Sequence, residues 1–198
     1  LDHGKSLEYI RGAIEAGYDA VHFDGSQLPL EENIRITKEV VKLARKKGIL
    51  TEGEVGVIGG ELTRPEEAAK FVKETKVDNL AVNLGTLHGM PEKWEDFETI
   101  DLERLKEIKE AAGNIGLVLH GGSGVSAEEI KKAIKQGIVK INISSELRSA
   151  FTKTLKEVLA KNPGEMIPYK YMPAVIDGVQ KIVEEKIKLF NFYADSNG

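Results

Sequence analysis

The amino-acid sequence predicts an α/β fold built on a parallel sheet, and three observations lead there. Short apolar runs bounded by Gly or polar residues alternate with charged amphipathic segments, the pattern of strand–helix repeats joined by right-handed crossovers. Apolar runs of this kind suit strands buried on both faces in a parallel sheet. Most residues able to do chemistry stand at the C-terminal ends of those runs. A (β/α)8 barrel and a doubly wound sheet both satisfy this pattern, and periodicity does not choose between them.

The elements follow in order. Ser6 to Ala16 reads as a helix and leads into the strand Val21-His22-Phe23-Asp24. Glu31 to Lys46 is the next helix, because Ile34, Ile36, Val40, Val41, Leu43 and Ala44 recur near a period of 3.6. Gly48 stands where a C-terminal glycine belongs, and Ile49 to Val55 is the following strand. Thr63-Arg64-Pro65-Glu66-Glu67 opens a helix, with Pro65 suited to a first turn that needs no N–H. Leu80 to Leu84 is a strand, Leu102 to Ala112 a helix and Ile115 to Leu119 a strand. Ser126 with Glu129 resembles a capping box before Ile130 to Gln136. Val139 to Ile143 is the last strand, and helices are expected from about Ser145 to Ala160 and from Pro173 to Phe190. Leu1-Asp2-His3 reads as the tail of one more strand.

Composition narrows the function classes. The chain of 198 residues carries 28 Lys and Arg against 32 Asp and Glu. That mild acidity gives no reason to expect nucleic acid or an anionic membrane as partner. No apolar run approaches the roughly 20 residues of a spanning helix, and no basic-then-apolar leader is visible. The absence of cysteine excludes disulfides, thiolate metal sites and a cysteine nucleophile. A cytoplasmic location is the expectation.

The chemistry-bearing residues share a topological position. Asp2 and His3 end the first run, Asp24 the second and Glu54 the third; His88 follows the fourth, and His120 ends the fifth. Asn142, Ser144 and Ser145 end the sixth. In a parallel barrel those ends share one mouth, where active sites form. A lone histidine after a strand is more often a loop hydrogen-bonder than a ligand. Here His3, His88 and His120 match in position, and each precedes a glycine. Neutral imidazoles from separate strands suit a zinc ion with an open fourth position. His22 sits two residues before Asp24 and so shares its face at greater depth; it reads as an interior histidine supporting the site rather than a ligand. Glu52 shares the face of Glu54 in the same way.

Gly121-Gly122-Ser123-Gly124 has its own physics. Few side chains separate its amides from a ligand, so the loop can cradle a phosphate with Ser123 adding a hydroxyl. Taken alone this run is more often a plain turn. The segment Asn142 to Ser145 precedes a helix whose first-turn amides can hold the same anion. Trp94 and the methionines Met90, Met166 and Met172 read as packing, while Arg45-Lys46-Lys47 and the pair Lys186, Lys188 read as solvated helix faces.

Six motifs then stand in one order: Leu1-Asp2-His3-Gly4, Asp24-Gly25-Ser26, Glu54-Val55-Gly56 with Gly59-Gly60-Glu61, Gly85-Thr86 with His88-Gly89, Leu119 to Gly124, and Lys140 to Leu147. In that order, over nearly the whole chain, they resemble class II, metal-dependent ketose-bisphosphate aldolases, the fructose-1,6-bisphosphate aldolases and their tagatose relatives. The resemblance implies a (β/α)8 TIM barrel and one aldolase domain over residues 1–198, with C-terminal helices over about 145–190. It implies His3, His88 and His120 as ligands of a catalytic Zn2+, Asp2 as the acid/base residue, and Asp24 and Glu54 as ligands of a second, inward metal position. Gly89, Gly121, Gly122, Ser123, Asn142, Ile143, Ser144 and Ser145 fall on positions that bind dihydroxyacetone phosphate. A second divalent metal or a monovalent cation is the further cofactor implied.

The reaction implied is reversible aldol cleavage of fructose 1,6-bisphosphate to dihydroxyacetone phosphate and glyceraldehyde 3-phosphate, in glycolysis or gluconeogenesis. Zinc acts there as a Lewis acid on the substrate oxygens, and Asp2 exchanges the proton of the hydroxyl that becomes the aldehyde. The expected partners are a bisphosphorylated ketose and further copies of the chain, as a homodimer or homotetramer. Tagatose-1,6-bisphosphate cleavage and a non-catalytic phosphosugar-binding barrel are the alternatives.

Three departures from the family pattern bear on these expectations. The chain opens at the end of what should be the third inner strand, so the first two strands are expected to be missing. Gly59-Gly60-Glu61 runs directly into Leu62-Thr63-Arg64-Pro65, where the family carries an acidic mobile loop, and Leu62 stands where a second carboxylate is expected. Asn142-Ile143-Ser144-Ser145 replaces the more usual Asn-Val-Asp-Thr, which is closer to the tagatose-like branch.

Overall fold

The computed structural model describes residues 1–86 and 100–191. Seven helices and five strands alternate among these residues: α1 (Leu7–Glu15), β1 (Ala20–Phe23), α2 (Leu30–Arg45), β2 (Leu50–Val55), α3 (Pro65–Thr75), β3 (Asn79–Val82), α4 (Leu102–Ala112), β4 (Gly116–Leu119), α5 (Ala127–Lys135), β5 (Ile138–Ile141), α6 (Ser145–Lys161) and α7 (Pro168–Phe190). The strands form one parallel sheet in sequential order, β1-β2-β3-β4-β5. Sequential order with every crossover carried by a helix is the order of a barrel, not of a doubly wound sheet, whose strand order reverses. The sheet is a partial (β/α)8 barrel. Leu1 to Gly4 extends it past β1: the Gly4 amide donates to the His22 carbonyl, and the Asp24 amide donates to the Gly4 carbonyl, both at 3.0 Å.

The two faces of the sheet are chemically opposite. Toward the helices lie Val21 and Phe23 of β1, Val55 of β2, Leu80 and Val82 of β3, and Leu117 and Leu119 of β4, all buried. They pack in two clusters, one with Ile10, Ala13 and Val40, the other with Phe71, Leu105, Ile108 and Ile130. Each large side chain buried in this way contributes about 1.5–3 kcal/mol. The other face carries His22, Glu52, Glu54, Asn83 and His120, also buried but polar. Period-two alternation therefore sorts core from chemistry along each strand.

Local signals set the helix starts. Ser6 accepts the Tyr9 amide at 3.2 Å, Asp101 accepts the Arg104 amide at 2.8 Å, and Ser126 both accepts the Glu129 amide and donates to its carboxylate. The last helix departs from expectation: it begins at Pro168, and Pro173 lies inside it. Pro168 occupies the first turn, where a missing N–H costs nothing, so the sequence alone points to the wrong proline. In β5 the register moves from Leu117↔Ile138 to Val118↔Lys140, which leaves Val139 as a bulged residue that is 64% exposed. The bulge re-aims the strand so that Lys140 joins the inner face, where its ammonium donates to Glu52 at 2.7 Å.

Candidate metal centre and anion pocket

Each strand end delivers one piece of the site. His3 follows the short extension beside β1 and adopts φ 49, a left-handed conformation rare for a residue with a side chain. Its Nε2 faces Nδ1 of His120 at 3.1 Å, and its Nδ1 faces Asp24 Oδ2 at 2.7 Å. His120 turns its other nitrogen, Nε2, to Glu52 Oε1 at 2.9 Å. His22 lies below both, with Nδ1 3.2 Å from Asp2 Oδ1 and Nε2 3.1 Å from Glu54 Oε2. The three rings meet edge to face, their centroids 4.7–5.1 Å apart. Donor atoms of Asp2, His3, His22 and His120 all lie within 4.8 Å of one another, and a second group of His3, Asp24 and Glu54 meets the same limit.

Electrostatics follow from this packing. The hydrogen bond from His22 and the neighbouring imidazoles hold the Asp2 carboxyl well below its ordinary range, against a smaller opposing effect of burial. Burial opposes the charge of His22, but Asp2, Glu54 and Glu52 together outweigh it and raise the imidazole to about 9. Burial likewise opposes ionisation of Asp24, yet hydrogen bonds from His3, Lys5 and Ser26 pull its carboxyl far down. Glu52 is lowered against its own burial by His120, His22 and Lys140. His3 is raised by Asp24. The Lys5 ammonium contacts Asp24 directly, so this cation already supplies charge where the inward metal position was expected.

The residues fit a divalent metal. Imidazole nitrogens and a carboxylate are the donor set that zinc and its neighbours prefer. Nε2 of His22 and Oε2 of Glu54 meet in a buried contact at 3.1 Å whose alignment falls short of a hydrogen bond.

Beside the cluster lies a cleft of about 490 Å³, walled by Asp2 and His3 on one side and by Gly121, Ser123 and residues 141–145 on the other, with Arg148 adding a cation. Gly121 has φ 69. A Cβ on Gly122 would stand 2.6 Å from Cγ2 of Ile141, so this turn requires glycine to hug the next strand. The loop is tied from behind: Glu146 accepts the Gly124 amide at 2.6 Å and pairs with Lys186 of α7 at 2.8 Å. Lys186 is therefore not the solvated face that composition suggested. Asn142 donates to both carboxylate oxygens of Asp2 at 3.2 and 3.3 Å.

The structure brings Asp2, His3, Asp24, Glu54, His120, Asn142 and the 121–124 and 142–145 loops together at one mouth. His88 and Gly89 lie outside the described residues. Sequence reasoning placed His22 and Glu52 on the inner face and missed two contributors, Asn83 and the anchoring role of Glu146. His22 reaches Asp2 from its inner position, and Glu52 orients His120. Asn83 donates to the carbonyls of Val57, Gly60 and Glu61 and accepts the Gly85 amide, organising the loop that follows β2. Glu146 anchors the glycine turn. Period-two alternation, which placed His22 and Glu52, was also the available signal for Asn83; nothing local marks the Glu146–Lys186 pair, which spans 40 positions.

Comparison with known proteins identifies the family. The sequence profile of the family described as fructose-bisphosphate aldolase class-II matches residues 1–194. The chain belongs to the class II fructose-bisphosphate aldolase family. It is 39% identical to the fructose-bisphosphate aldolase of Geobacillus stearothermophilus over 200 residues, 96% of this chain and 68% of that protein. It is also 39% identical to the fructose-bisphosphate aldolase of a Streptococcus pneumoniae strain over 208 residues, with 70% of that protein covered. Among solved structures, the YdjI aldolase of Escherichia coli K12 superposes with a TM-score of 0.83 at 38% identity, over 96% of this chain and 67% of that one. This family membership makes the chain an aldolase of the lyase class. No described helix of it is long and apolar enough to cross a membrane.

Proposed function

We propose that this class II aldolase chain reversibly cleaves fructose 1,6-bisphosphate to dihydroxyacetone phosphate and glyceraldehyde 3-phosphate, with residues 1–198 acting as one barrel domain in the cytoplasm, as a homodimer or homotetramer. The observation that carries the proposal is the placement of Asp2. Its carboxylate is shared between the histidine cluster and the cleft of glycine-turn amides, so a proton acceptor, a metal seat and an anion seat lie within reach of one small molecule.

His3 and His120, joined by His88, would hold a zinc ion. When bound, that ion supplies Lewis-acid stabilisation of the charge that develops on the substrate oxygens as the carbon–carbon bond breaks. The chain's own residues do the rest. The Asp2 carboxyl is ionised at neutral pH and can take the hydroxyl proton, and its contact with His22, which lowers its proton affinity, has to be relieved for it to act as an effective base. Asn142 and His22 hold it in place on two sides. Gly121, Gly122 and Ser123, with Asn142 to Ser145 opposite, bind the phosphate and so fix the scissile bond against Asp2. Asp24 and Glu54 are read as the inward cation position, shared with Lys5.

The test is a coupled assay of triose phosphate release from fructose and tagatose 1,6-bisphosphates, before and after complete chelation. Zinc-dependent release, faster from the fructose ester, is the expected result. Undiminished release from metal-free protein, or none from zinc-loaded protein, overturns the proposal.

A further inference from the structure

The chain places a cation of its own at the inward group. Lys5 stands between two fixed points, since Gly4 pairs with β1 and Ser6 caps α1. Its side chain is 63% exposed, yet its ammonium contacts Oδ2 of Asp24, a side chain that is 3% exposed. With Ser26, Gln27 and Ile58 it lines a cleft of about 330 Å³ over Asp24 and Glu54. Both oxygens of Asp24 are in use. Oδ2 takes the Lys5 ammonium and Nδ1 of His3 at 2.7 Å; Oδ1 takes the Ser26 amide at 3.2 Å and the Ser26 hydroxyl at 2.6 Å. A carboxylate offers about four lone-pair sites, so a second divalent ion would have to displace one of these donors.

We infer that Lys5 is the resident cation of the inward position and that it restricts each chain to a single divalent ion, the catalytic one. The inference rests on the proposed function and deepens it, since it fixes how many ions that function uses. An ammonium and a divalent ion neutralise buried carboxylates in different ways. A divalent ion among His3, Asp24 and Glu54 would coordinate Nδ1 of His3, the nitrogen that lies 2.7 Å from Asp24 and 3.7 Å from Glu54. That nitrogen would then give up its proton and its hydrogen bond to Asp24. An ammonium only donates. It adds charge beside Asp24 and leaves the His3 proton in place. Nε2 of His3 thus stays the nitrogen turned toward the cluster, with a carboxylate behind the ring as ligating histidines have. Without Lys5, Asp24 is a buried carboxylate that has lost its fixed cation, and a divalent ion is the replacement its donor set accepts.

The experiment uses the full chain and Zn2+ alone. Zinc per chain at saturation is counted by native mass spectrometry in the parent protein, in Lys5→Arg and in Lys5→Ala, each with and without Asp24→Asn. The quantity read is the number of ions lost when Asp24→Asn is added, which excludes zinc bound elsewhere on the surface. The parent and Lys5→Arg should lose none: the outward ion stays, weakened by no more than the ~10–100-fold expected when a ligating histidine loses its carboxylate. Lys5→Ala should carry one ion more than the parent and lose that ion with Asp24→Asn. An Asp24-dependent second ion in the parent, or none in Lys5→Ala, overturns the inference. If the Asp24→Asn variants do not fold, the counts in the parent and in Lys5→Ala decide, and equal counts overturn it. A parent that binds zinc and cleaves substrate while the counts fail sinks this inference alone; a parent that takes up no zinc sinks the proposed function with it.

Discussion

The two halves of the mouth are built by different means. The histidine half is made of buried side chains, each held by a carboxylate from β2 or from the loop after β1. The phosphate half is made of backbone amides on a glycine turn and at the start of α6, a helix without a buried residue. The first half depends on charge pairing in a medium of low polarity, where removing one partner strands the other. The second depends on backbone path, where a single added methyl is the larger insult. Substitutions that neutralise charge should therefore disable the first half, and substitutions that add volume the second.

Asp2→Asn tests the contrast most severely, because Asp2 serves both halves. It removes the proton acceptor and leaves the imidazoles, so cleavage should fall by about 10²–10⁴-fold while zinc content by mass spectrometry stays near one per chain. Loss of zinc together with activity would show that Asp2 acts mainly as a ligand.

Glu52→Gln follows. It removes the negative charge that His120 and Lys140 face without touching the cleft, and zinc affinity should weaken by about 10–100-fold, read by chelator competition. The Michaelis constant measured at saturating zinc should hardly move. A rise in that constant alone would erase the distinction between the halves.

Gly122→Ala strikes the other half. Its new Cβ would press on Ile141, at a cost of about 1–3 kcal/mol for overpacking, seen as a lower midpoint in urea. The Michaelis constant for the bisphosphate should rise with zinc affinity unchanged.

The mildest test is pH. His22 is raised from an ordinary 6.5 to about 9 in the metal-free fold, facing Asp2, Glu52 and Glu54. A group whose folded value is raised stabilises most below its unfolded value and loses that contribution as pH rises through the folded one. Metal-free protein should therefore lose thermal stability between about pH 6.5 and 9, and His22→Gln should flatten that slope. An unchanged slope in the variant would mean that His22 is not the protonated partner of Asp2.

Much of this was legible in the chain. Leu80 and Val82, or Leu117 and Leu119, announce their strands by composition, and His3, Asp24, Glu54 and His120 announce the mouth by standing at strand ends. The start of α7 was not legible, because Pro168 and Pro173 are equally acceptable first-turn residues by local rules and only packing of the helix against α6 selects one. Nor was the aim of Lys140, since a bulge at Val139 arises from sheet register and leaves no residue signature.

What the sequence determined by itself is the alternation of elements and the side of each strand on which a residue falls, because both follow from periods of 3.6 and 2 that are properties of the local backbone. What only the tertiary structure decided is which carboxylate meets which imidazole, and that Glu146 and Lys186 brace the phosphate turn. Those pairings join residues tens of positions apart, so their distances are set by sheet curvature and helix packing, to which no short stretch of chain has access.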